Sequence, residues 1–458
     1  MKILIISVKT ILLALLFFIL TSCGSSDRGN LIGVQNRPAW HHPDPYGMLF
    51  IPHGSYNMGQ NDQDVPYSHI SQAKTVTVHA FYMDETEITN NEYRQFVNWV
   101  TDSIVRRTLG QIDEEFLITE NEYGEFFDPP FLNWRKKIQW DEQEVREALA
   151  DLYLPEHERF YRRKEFDARK LNYEYYWIDY EAASKKNFQT PTDAPDLDAG
   201  MWNNRAQGWT DRSVYIKKDV INVYPDTLVW AHDYTYSYNE PMTKHYFSHP
   251  AYDHYPVVGV SWRQARAFSI WRTNYMNSYL VSRYAFPVND FRLPTESEWE
   301  WAARGGFDLS PYPWGGPYIR NNLGCFLGNY KPLRGNYVDD GGVYPIIVAH
   351  YPPNDFGLYD MAGNVSEWCM DAYDPSSYNF AHDMNQVYTY DAKDTDLPAL
   401  KRKVIRGGSW KDIGYFMQVS ARTFEYQDSG KSYVGFRNVL PYMGRMKGDG
   451  PNASNVYR

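Results

Sequence analysis

The stretch from Phe307 to Arg437 has almost no helical periodicity. Glycine, proline, asparagine and aspartate separate short apolar strings along it, and these residues favour turns and loops over a continuous helix. The whole chain also contains 15 Trp and 39 Tyr. Such amphipathic rings suit irregular cores and interfaces better than a compact helical bundle. The sequence therefore predicts a loop-dominated β region over this stretch.

Length and charge narrow the class of protein. The chain has 458 residues with 43% apolar content, which excludes intrinsic disorder and a disulfide-held miniprotein. We expect either two to three domains or one large, elaborated domain. The sequence contains 46 Lys and Arg against 57 Asp and Glu, a formal net charge of −11. This sign is wrong for a protein whose main partner is a nucleic acid, so we expect none.

The first residues indicate an export signal. Two lysines precede an apolar run over residues 11–20, and the sequence continues with Thr21, Ser22 and Cys23. A positive start before a short apolar run is typical of a secretory signal peptide, and the run is shorter than the ~20 residues that span a bilayer. Its ending resembles the bacterial lipobox, which implies cleavage before Cys23 and acylation of that cysteine. Gly24 stands where some lipoproteins carry an inner-membrane-retaining Asp, so we expect the outer membrane.

The cysteine count limits thiol chemistry. Besides Cys23, the chain contains Cys325 and Cys369. In an exported, oxidising setting they form either one disulfide or two buried thiols. Both lie within apolar or aromatic patterns, so we expect buried thiols.

Three helix starts share one pattern, a hydroxyl residue followed three positions later by Glu or Gln. They are Thr89–Glu92, Ser261–Gln264 and Thr295–Glu298. This pattern is a capping box, which satisfies free backbone N–H groups at a helix start. The third helix is expected to end at Gly305-Gly306. We also expect a strand over Val76–Phe81, where apolar and polar residues alternate.

Residues 141–186 differ in kind from the rest, with 12 acidic, 9 basic and 9 aromatic side chains. A charge-laced helical pair accounts for the charges but not for so many rings. The segment is either an insertion built for contact with another protein or a helical decoration packed on its own domain. The first interpretation places five residues at an interface: Tyr173, Tyr175, Tyr176, Trp177 and Tyr180.

Seven strings, in order, resemble the formylglycine-generating-enzyme (sulfatase-modifying factor) family. They are Leu49–Gly59, Phe81–Asn90, Tyr255–Trp262, Arg292–Gly306, Asn354–Trp368, Arg406–Trp410 and Gly435–Arg437. The resemblance implies an α+β, C-type-lectin-like fold with few regular elements and a long, partly helical insertion.

The resemblance also implies a division of the chain. We expect a signal peptide (1–22), an acylated Cys23 with a tether (23–45), a family domain (46–102 and 251–440), an insertion (103–250) and a tail (441–458).

In the oxygen-dependent enzymes of this family, two cysteines between the Arg-Gly-Gly-Ser-Trp and Gly-Phe-Arg strings hold copper. Lys411–Val434 contains no cysteine, and Asp412 stands near the first expected position. A carboxylate is a hard ligand that does not replace a soft thiolate for Cu(I). We therefore expect no copper, no catalytic residues and no formylglycine-generating activity.

Another branch of the fold binds iron through a histidine-rich helical domain. His245, His249 and His254 are clustered here, but they lie in proline-flanked sequence without a helical face. Because metal sites usually draw on rigid elements, we expect no iron.

Calcium is the metal that the resemblance supports. One family site maps onto the carboxylates of Asp360 and Glu367 and the carbonyls of Gly363 and Val365. Hard oxygen ligands on an irregular loop suit Ca²⁺. The alternative is that the two carboxylates only cap turns. A weaker second site maps onto Asn322, Leu323, Asp340 and Gly342.

The lipobox, the missing cysteines and the aromatic insertion together resemble the GldK/PorK lipoproteins of type IX secretion and gliding motility. Residues 87–100 and 169–177 carry this match. It implies a non-enzymatic, lipid-anchored outer-membrane protein that faces the periplasm. Such a protein self-associates into a ring with a GldN/PorN-type partner and meets other components of the secretion machinery. The alternatives are the paralogous gliding lipoprotein GldJ and a periplasmic metal-dependent oxidoreductase of the same fold.

Overall fold

A computed structural model describes residues 42–59, 72–121, 123–184, 215–237, 239–332, 335–336, 338–339 and 341–443. In these ranges the α-helices are α1 (Asn90–Leu109), α2 (Gln143–Ala148), α3 (Tyr180–Ser184), α4 (Pro241–His245), α5 (Trp262–Ser282), α6 (Glu296–Arg304) and α7 (Ser377–Phe380). The strands are β1 (Met48–Ile51), β2 (Gly54–Met58), β3 (Lys74–Val78), β4 (Phe81–Asp84), β5 (Leu117–Glu120), β6 (Phe126–Leu132), β7 (Asn172–Ile178), β8 (Ile216–Asn222), β9 (Ser366–Ala372), β10 (Arg402–Arg406), β11 (Thr423–Tyr426), β12 (Val434–Gly435) and β13 (Val439–Pro441).

The three longest helices begin at the predicted capping boxes. The side chains of Thr89, Ser261 and Thr295 each accept a hydrogen bond from the third helical N–H, and the side chain of that third residue accepts one from the cap N–H. Each box satisfies two backbone donors that otherwise lack a partner, so the start of each helix is set by its own sequence. Helix α6 ends as predicted at Gly305, which adopts φ 61° in the left-handed region that favours glycine.

Two sheets form the frame of the body. One has the strand order β1-β4-β13, and the other has the order β11-β10-β9-β12, in which β12 runs parallel to β9. Val439 of β13 lies opposite Met83 of β4, so strands from the two ends of the described chain pair directly. The predicted strand over Val76–Phe81 is instead divided between β3 and β4. Pairing with β2 ends at Val78, and Phe81 pairs with Ile51 of β1.

Aromatic side chains fill the space between these elements. One core cluster joins α1 and α5 to the second sheet, and its rings include Tyr93, Phe268 and Phe436. The rings of Tyr93 and Phe268 stack with centroids 5.6 Å apart. A second cluster places Trp299 of α6 against the strands, where it is fully buried. The loop-dominated stretch expected after Phe307 is present, and rings rather than long ladders close its core.

The second half of residues 141–186 does not form the helix that the alternative of a helical decoration requires. Residues Asn172–Ile178 form β7, which pairs antiparallel with β8 over its full length. Tyr173, Tyr175 and Trp177 recur at every second position and contact the core cluster, and a period of two is the signature of a strand rather than a helix. Tyr175 is only 2% exposed and belongs to the same core cluster as Tyr93. The paired strands β7 and β8 therefore contribute to the core of the body.

No helix within the described ranges is both long and apolar enough to cross a lipid bilayer. The predicted signal peptide, Cys23 and the C-terminal residues 444–458 lie outside those ranges.

Candidate functional site

The segment that follows the Arg406–Trp410 string is filled by the chain's own polar and apolar groups. The hydroxyl of Ser409 donates to the carboxylate of Asp412 over 2.6 Å, and burial raises the pKa of that carboxyl above its usual value. Met417, five residues further along, is fully buried against Tyr312. This segment therefore offers a hydrogen-bonded acid and a packed thioether in place of a thiolate pair.

An aromatic cluster covers the same segment. It consists of Trp230, Tyr234, Tyr246, Tyr344 and Trp410, and we call it the aromatic cap. The rings of Trp230 and Trp410 stack with centroids 6.1 Å apart, and those of Tyr344 and Trp410 are 5.1 Å apart. Three of the five residues belong to the stretch expected to be an insertion, which here packs on the family domain. The density of rings between positions 230 and 246 was the available signal for this contact, but sequence reasoning did not single it out.

A cleft of about 320 Å³ remains beside the aromatic cap. Tyr344 and Trp410 line it together with Asp233, Lys331 and Lys411. Lys411 forms an ion pair with Asp233, whose side chain is 8% exposed. Because this acid already has a cation partner, the cleft offers no isolated carboxylate as a general base.

A second candidate site is a cluster of buried carboxylates. Arg437 donates to both oxygens of Glu367, from Nη2 over 2.6 Å and from Nε over 2.8 Å. The indole N–H of Trp299 donates to Glu367 Oε2 over 2.7 Å. Glu87 and Asp360 lie close enough to these groups for mutual repulsion to contribute to their pKa values. Three buried acids thus lie near one arginine, and each acid disfavours the ionisation of its neighbours.

Glu87 joins this cluster from the other end of the chain, and sequence reasoning missed it. Its carboxylate accepts hydrogen bonds from the Asn364 amide over 2.6 Å and from the Val365 backbone N–H over 3.0 Å. Burial and the neighbouring acids raise its pKa well above the usual range. The only local signal was an acid directly before the apolar Ile88 in a motif string.

Asp360 is the member of the cluster with an unsatisfied oxygen. Oδ2 accepts the Ala349 N–H over 2.7 Å, whereas the buried Oδ1 has no hydrogen-bond partner. Burial raises the pKa of Asp360 to about 6, although the Ala349 hydrogen bond and Arg437 oppose the shift. A buried acceptor without a donor is costly, and a cation would satisfy it.

Gly363 and Val365 lie in the loop that follows Asp360, and Glu367 is the second residue of β9. Gly363 has φ +88°, and a Cβ there would lie 2.5 Å from the Asn329 carbonyl oxygen, so only glycine fits. Glu367 Oε1 accepts a single donor, which leaves one lone pair for a metal. The oxygen donors and the orphaned Asp360 oxygen fit Ca²⁺, while the arginine on Glu367 competes with it.

The weaker calcium set lies only partly within the described residues. Asn322 and Leu323 lie in an exposed turn closed by Asn321, whose side chain accepts the Leu323 N–H over 3.0 Å. Asp340 lies outside the described ranges and Gly342 within them. Within those ranges, no group of three or more His, Cys, Asp or Glu side chains is arranged to hold a metal. His245, His249 and His254 are among the described residues and do not form such a group either.

The two cysteines of the described body are free thiols, as expected. Cys369 is fully buried, and burial raises the pKa of its thiol well above the usual value. Cys325 is only partly buried, so the expectation of burial holds for one of the two.

The five aromatic residues proposed for an interface divide between two faces of β7 and the helix after it. Tyr173, Tyr175 and Trp177 face the core cluster, and Tyr175 is buried within it. Tyr176 is 54% exposed and Tyr180 is 64% exposed. Only these last two present most of their ring to solvent.

Comparison with known families gives a match to the sulfatase-modifying factor enzyme 1-like domain over residues 37–441. Curated relatives include the inactive C-alpha-formylglycine-generating enzyme 2 of Bos taurus, 35% identical over 190 residues that cover 40% of this chain and 49% of that protein. The formylglycine-generating enzyme of Thermomonospora curvata is 32% identical over 189 residues, 40% of this chain and 54% of that protein. The chain thus spans about half the length of these relatives.

A longer alignment joins the chain to the formylglycine-generating enzyme of Bos taurus, with 23% identity over 412 residues, 89% of this chain and 78% of that protein. Among solved structures, PvdO from Pseudomonas aeruginosa aligns over 88% of this chain and 99% of its own, with 15% identity and a TM-score of 0.44.

Proposed function

The chain belongs to the sulfatase-modifying factor enzyme 1-like family. We propose that within this family it is a non-enzymatic structural lipoprotein of the type IX secretion and gliding-motility machinery. In this proposal Cys23 is acylated and anchors the protein in the outer membrane, facing the periplasm. The folded body forms a ring with further copies and with a GldN/PorN-type periplasmic partner. It also contacts other components of the machinery.

The observation that supports a structural role most strongly is the state of the segment Lys411–Val434. It contains no cysteine, and Trp410, which directly precedes it, is a member of the aromatic cap. A carboxylate at Asp412 does not bind Cu(I) as a thiolate does. Cys369, the nearest buried thiol in sequence, has a raised pKa and is therefore a poor source of thiolate.

Purification from the native membrane tests this proposal. A tagged chain is extracted from outer membranes in mild detergent, and the proteins that accompany it are identified by mass spectrometry. We expect a soluble periplasmic protein to co-purify in fixed ratio. We also expect electron micrographs to show rings much larger than the 53.7 kDa chain. An unrelated lipoprotein with the same tag controls for non-specific capture. Recovery of the chain alone, as a monomer, would contradict the proposal.

We also propose a structural Ca²⁺ at Asp360, completed by the Gly363 and Val365 carbonyls and by Glu367. The unsatisfied Oδ1 of Asp360 supports it, as does the proximity of the buried acids Glu87 and Glu367 to Asp360. When bound, the ion would supply positive charge to a dry carboxylate cluster. Arg437 would continue to orient Glu367 through its two hydrogen bonds.

A further inference from the structure

A cavity of about 760 Å³ lies away from the aromatic cap. It is bounded by the end of β7 and the starts of α5 and α6, with β10 on one side. Apolar side chains from several elements line its walls, among them Phe81, Ile178, Met370 and Val387. Cavities of this size with mostly apolar walls and a few polar groups are the usual form of small-molecule sites.

Lys403 of β10 brings a charge to this cavity. The residue is 1% exposed, and its ammonium donates to the Tyr390 carbonyl over 2.7 Å. Its Nζ also lies 3.9 Å from the centroid of the Trp262 ring. The carboxylates of Asp391 and Glu298, which also line the cavity, pair with Arg266 and Arg292 instead. Among the described residues Lys403 therefore has no directly bonded anion, which is what usually offsets the desolvation of a buried ammonium.

The other cations of the cavity differ from Lys403 because they already have acid partners. Arg292 makes two hydrogen bonds to Glu298, of 2.7 and 2.6 Å. Arg266 lies 3.8 Å above the Trp177 ring and reaches Asp391 over 3.3 Å. The Asp391 side chain is 46% exposed, so this second pair is only partly shielded from water. Lys403, with Arg266 nearby, is therefore where an incoming negative charge would gain most.

We propose that this cavity binds an organic anion, with its charged group at Lys403 and its apolar body along the wall formed by Phe81, Ile178, Met370 and Val387. The chemical class is a carboxylate or sulfonate attached to an aliphatic or aromatic group. Aromatic walls take either kind of body, and a buried ammonium selects for negative charge. This inference rests on the cavity alone and is independent of the ring-forming role.

The charge on Lys403 makes such binding depend on pH. Burial lowers the pKa of Lys403 to about 7, Asp391 and Asp371 oppose the shift, and Arg266 and Arg263 add to it. Glu298 and Arg292, which also line the cavity, form an ion pair with each other. An anion that binds only the protonated amine should lose affinity as pH rises, by ~30-fold between about pH 6 and pH 8.5.

The fluorescent sulfonate ANS (anilinonaphthalene sulfonate) tests the site, because its own charge does not change over this pH range. We expect the full chain to bind ANS with the pH dependence given above. Lys403→Met should bind at least ~10-fold more weakly and without that pH dependence, since Met keeps the packing but not the charge. Lys218→Met, at an exposed lysine of β8, is the matched control and should bind like the wild type.

A second variant keeps the test valid if Lys403→Met does not fold. Val387→Trp fills the cavity while leaving Lys403 in place, and it should abolish the pH-dependent binding. Unchanged ANS affinity and pH dependence in every variant that folds would overturn the proposal.

Displacement of ANS identifies the source of the anion. Competition by decanoate alone assigns the cavity to free organic acids. Competition by an apolar tripeptide with a free carboxyl terminus, but not by its amide, assigns it to a chain end. Failure of both competitors to displace ANS would also overturn the proposal.

Discussion

Arg406 links helix α6 to strand β10 through a buried ion network. Its Nη2 lies 2.7 Å from Glu296 Oε1 and 2.9 Å from Glu300 Oε2, and all three side chains are buried. Arg304 and Arg422 bind the same two acids from other sides. Because each charge is shielded from water, removal of one member leaves another without full compensation.

Replacement of this arginine should therefore be costly. We expect Arg406→Met to lower the free energy of unfolding by roughly 3–5 kcal/mol, measured by urea denaturation with tryptophan fluorescence. Arg146→Met removes an exposed arginine that pairs with Asp141 and should change it by less than ~1 kcal/mol. Equal unfolding curves for the two variants would show that the network contributes little.

Asp360 should give the protein a pH-dependent stability when calcium is removed. Its folded-state pKa of about 6 lies above the ordinary 3.8, so the unfolded chain loses this proton first as pH rises. The contribution of Asp360 should therefore lower the free energy of unfolding between about pH 4 and pH 7, by up to ~3 kcal/mol. Thermal melts in a chelator should show that the wild type loses stability as pH rises through this range. Asp360→Asn should lose less stability over the same range. The exposed control Asp355→Asn should lose as much as the wild type.

Added Ca²⁺ should reverse this effect in the wild type, since a bound cation favours the ionised carboxylate and binds only the folded state. We expect a higher melting temperature with Ca²⁺ than with chelator at pH 7, and no such difference for Asp360→Asn. Identical melting of the wild type with and without chelator would reduce Asp360 and Glu367 to turn caps.

At the level of elements, strand β7 presents two chemically different faces. Tyr175 lies in the core, 5.8 Å from the Tyr173 ring in a stacked pair. Tyr176, one position further, faces outward beside Lys218 of β8, whose ammonium lies 5.8 Å from its ring centroid. Adjacent residues of a strand point to opposite sides of the sheet. Tyr175 therefore packs in the core, whereas Tyr176 is exposed to solvent.

The two faces should respond differently to truncation. We expect Tyr175→Ala to lower the free energy of unfolding by roughly 3 kcal/mol or more, because it leaves a cavity in the core. Tyr176→Ala should change it by less than about 0.5 kcal/mol. If the outward face binds a partner, Tyr176→Ala combined with Tyr180→Ala should weaken co-purification while melting stays unchanged. Intact assembly in that double variant would move the interface elsewhere on the body.

At the scale of the whole molecule, the lipid anchor that we propose at Cys23 would determine where the folded body acts. Replacement of Cys23 by Ala should abolish lipid attachment, because only the thiol accepts diacylglycerol, and each buried CH₂ of an acyl chain contributes ~0.8 kcal/mol to membrane binding. We expect the variant to lose palmitate labelling and to leave the membrane fraction, while Ser22→Ala keeps both properties. Labelling that persists in Cys23→Ala would contradict the lipobox interpretation.

The sequence by itself determined the features that depend on neighbouring residues or on composition. The capping boxes at Thr89, Ser261 and Thr295 predicted the starts of the three longest helices, because a cap joins groups only three positions apart. The absence of cysteine from Lys411–Val434 excluded a thiolate copper site in that segment without any structure. The ordered motif strings predicted the family, which the match over residues 37–441 confirms.

Only the tertiary structure decided which charges are buried together. Glu87 and Asn364 are 277 positions apart and share a hydrogen bond, and Lys403 lies against Trp262 from a distant strand. Whether a carboxylate or an amine loses its water depends on elements that meet only in the folded chain, so no local pattern predicts it. The same holds for β7, since its alternating rings acquire an inner and an outer face only when the strand packs on the body.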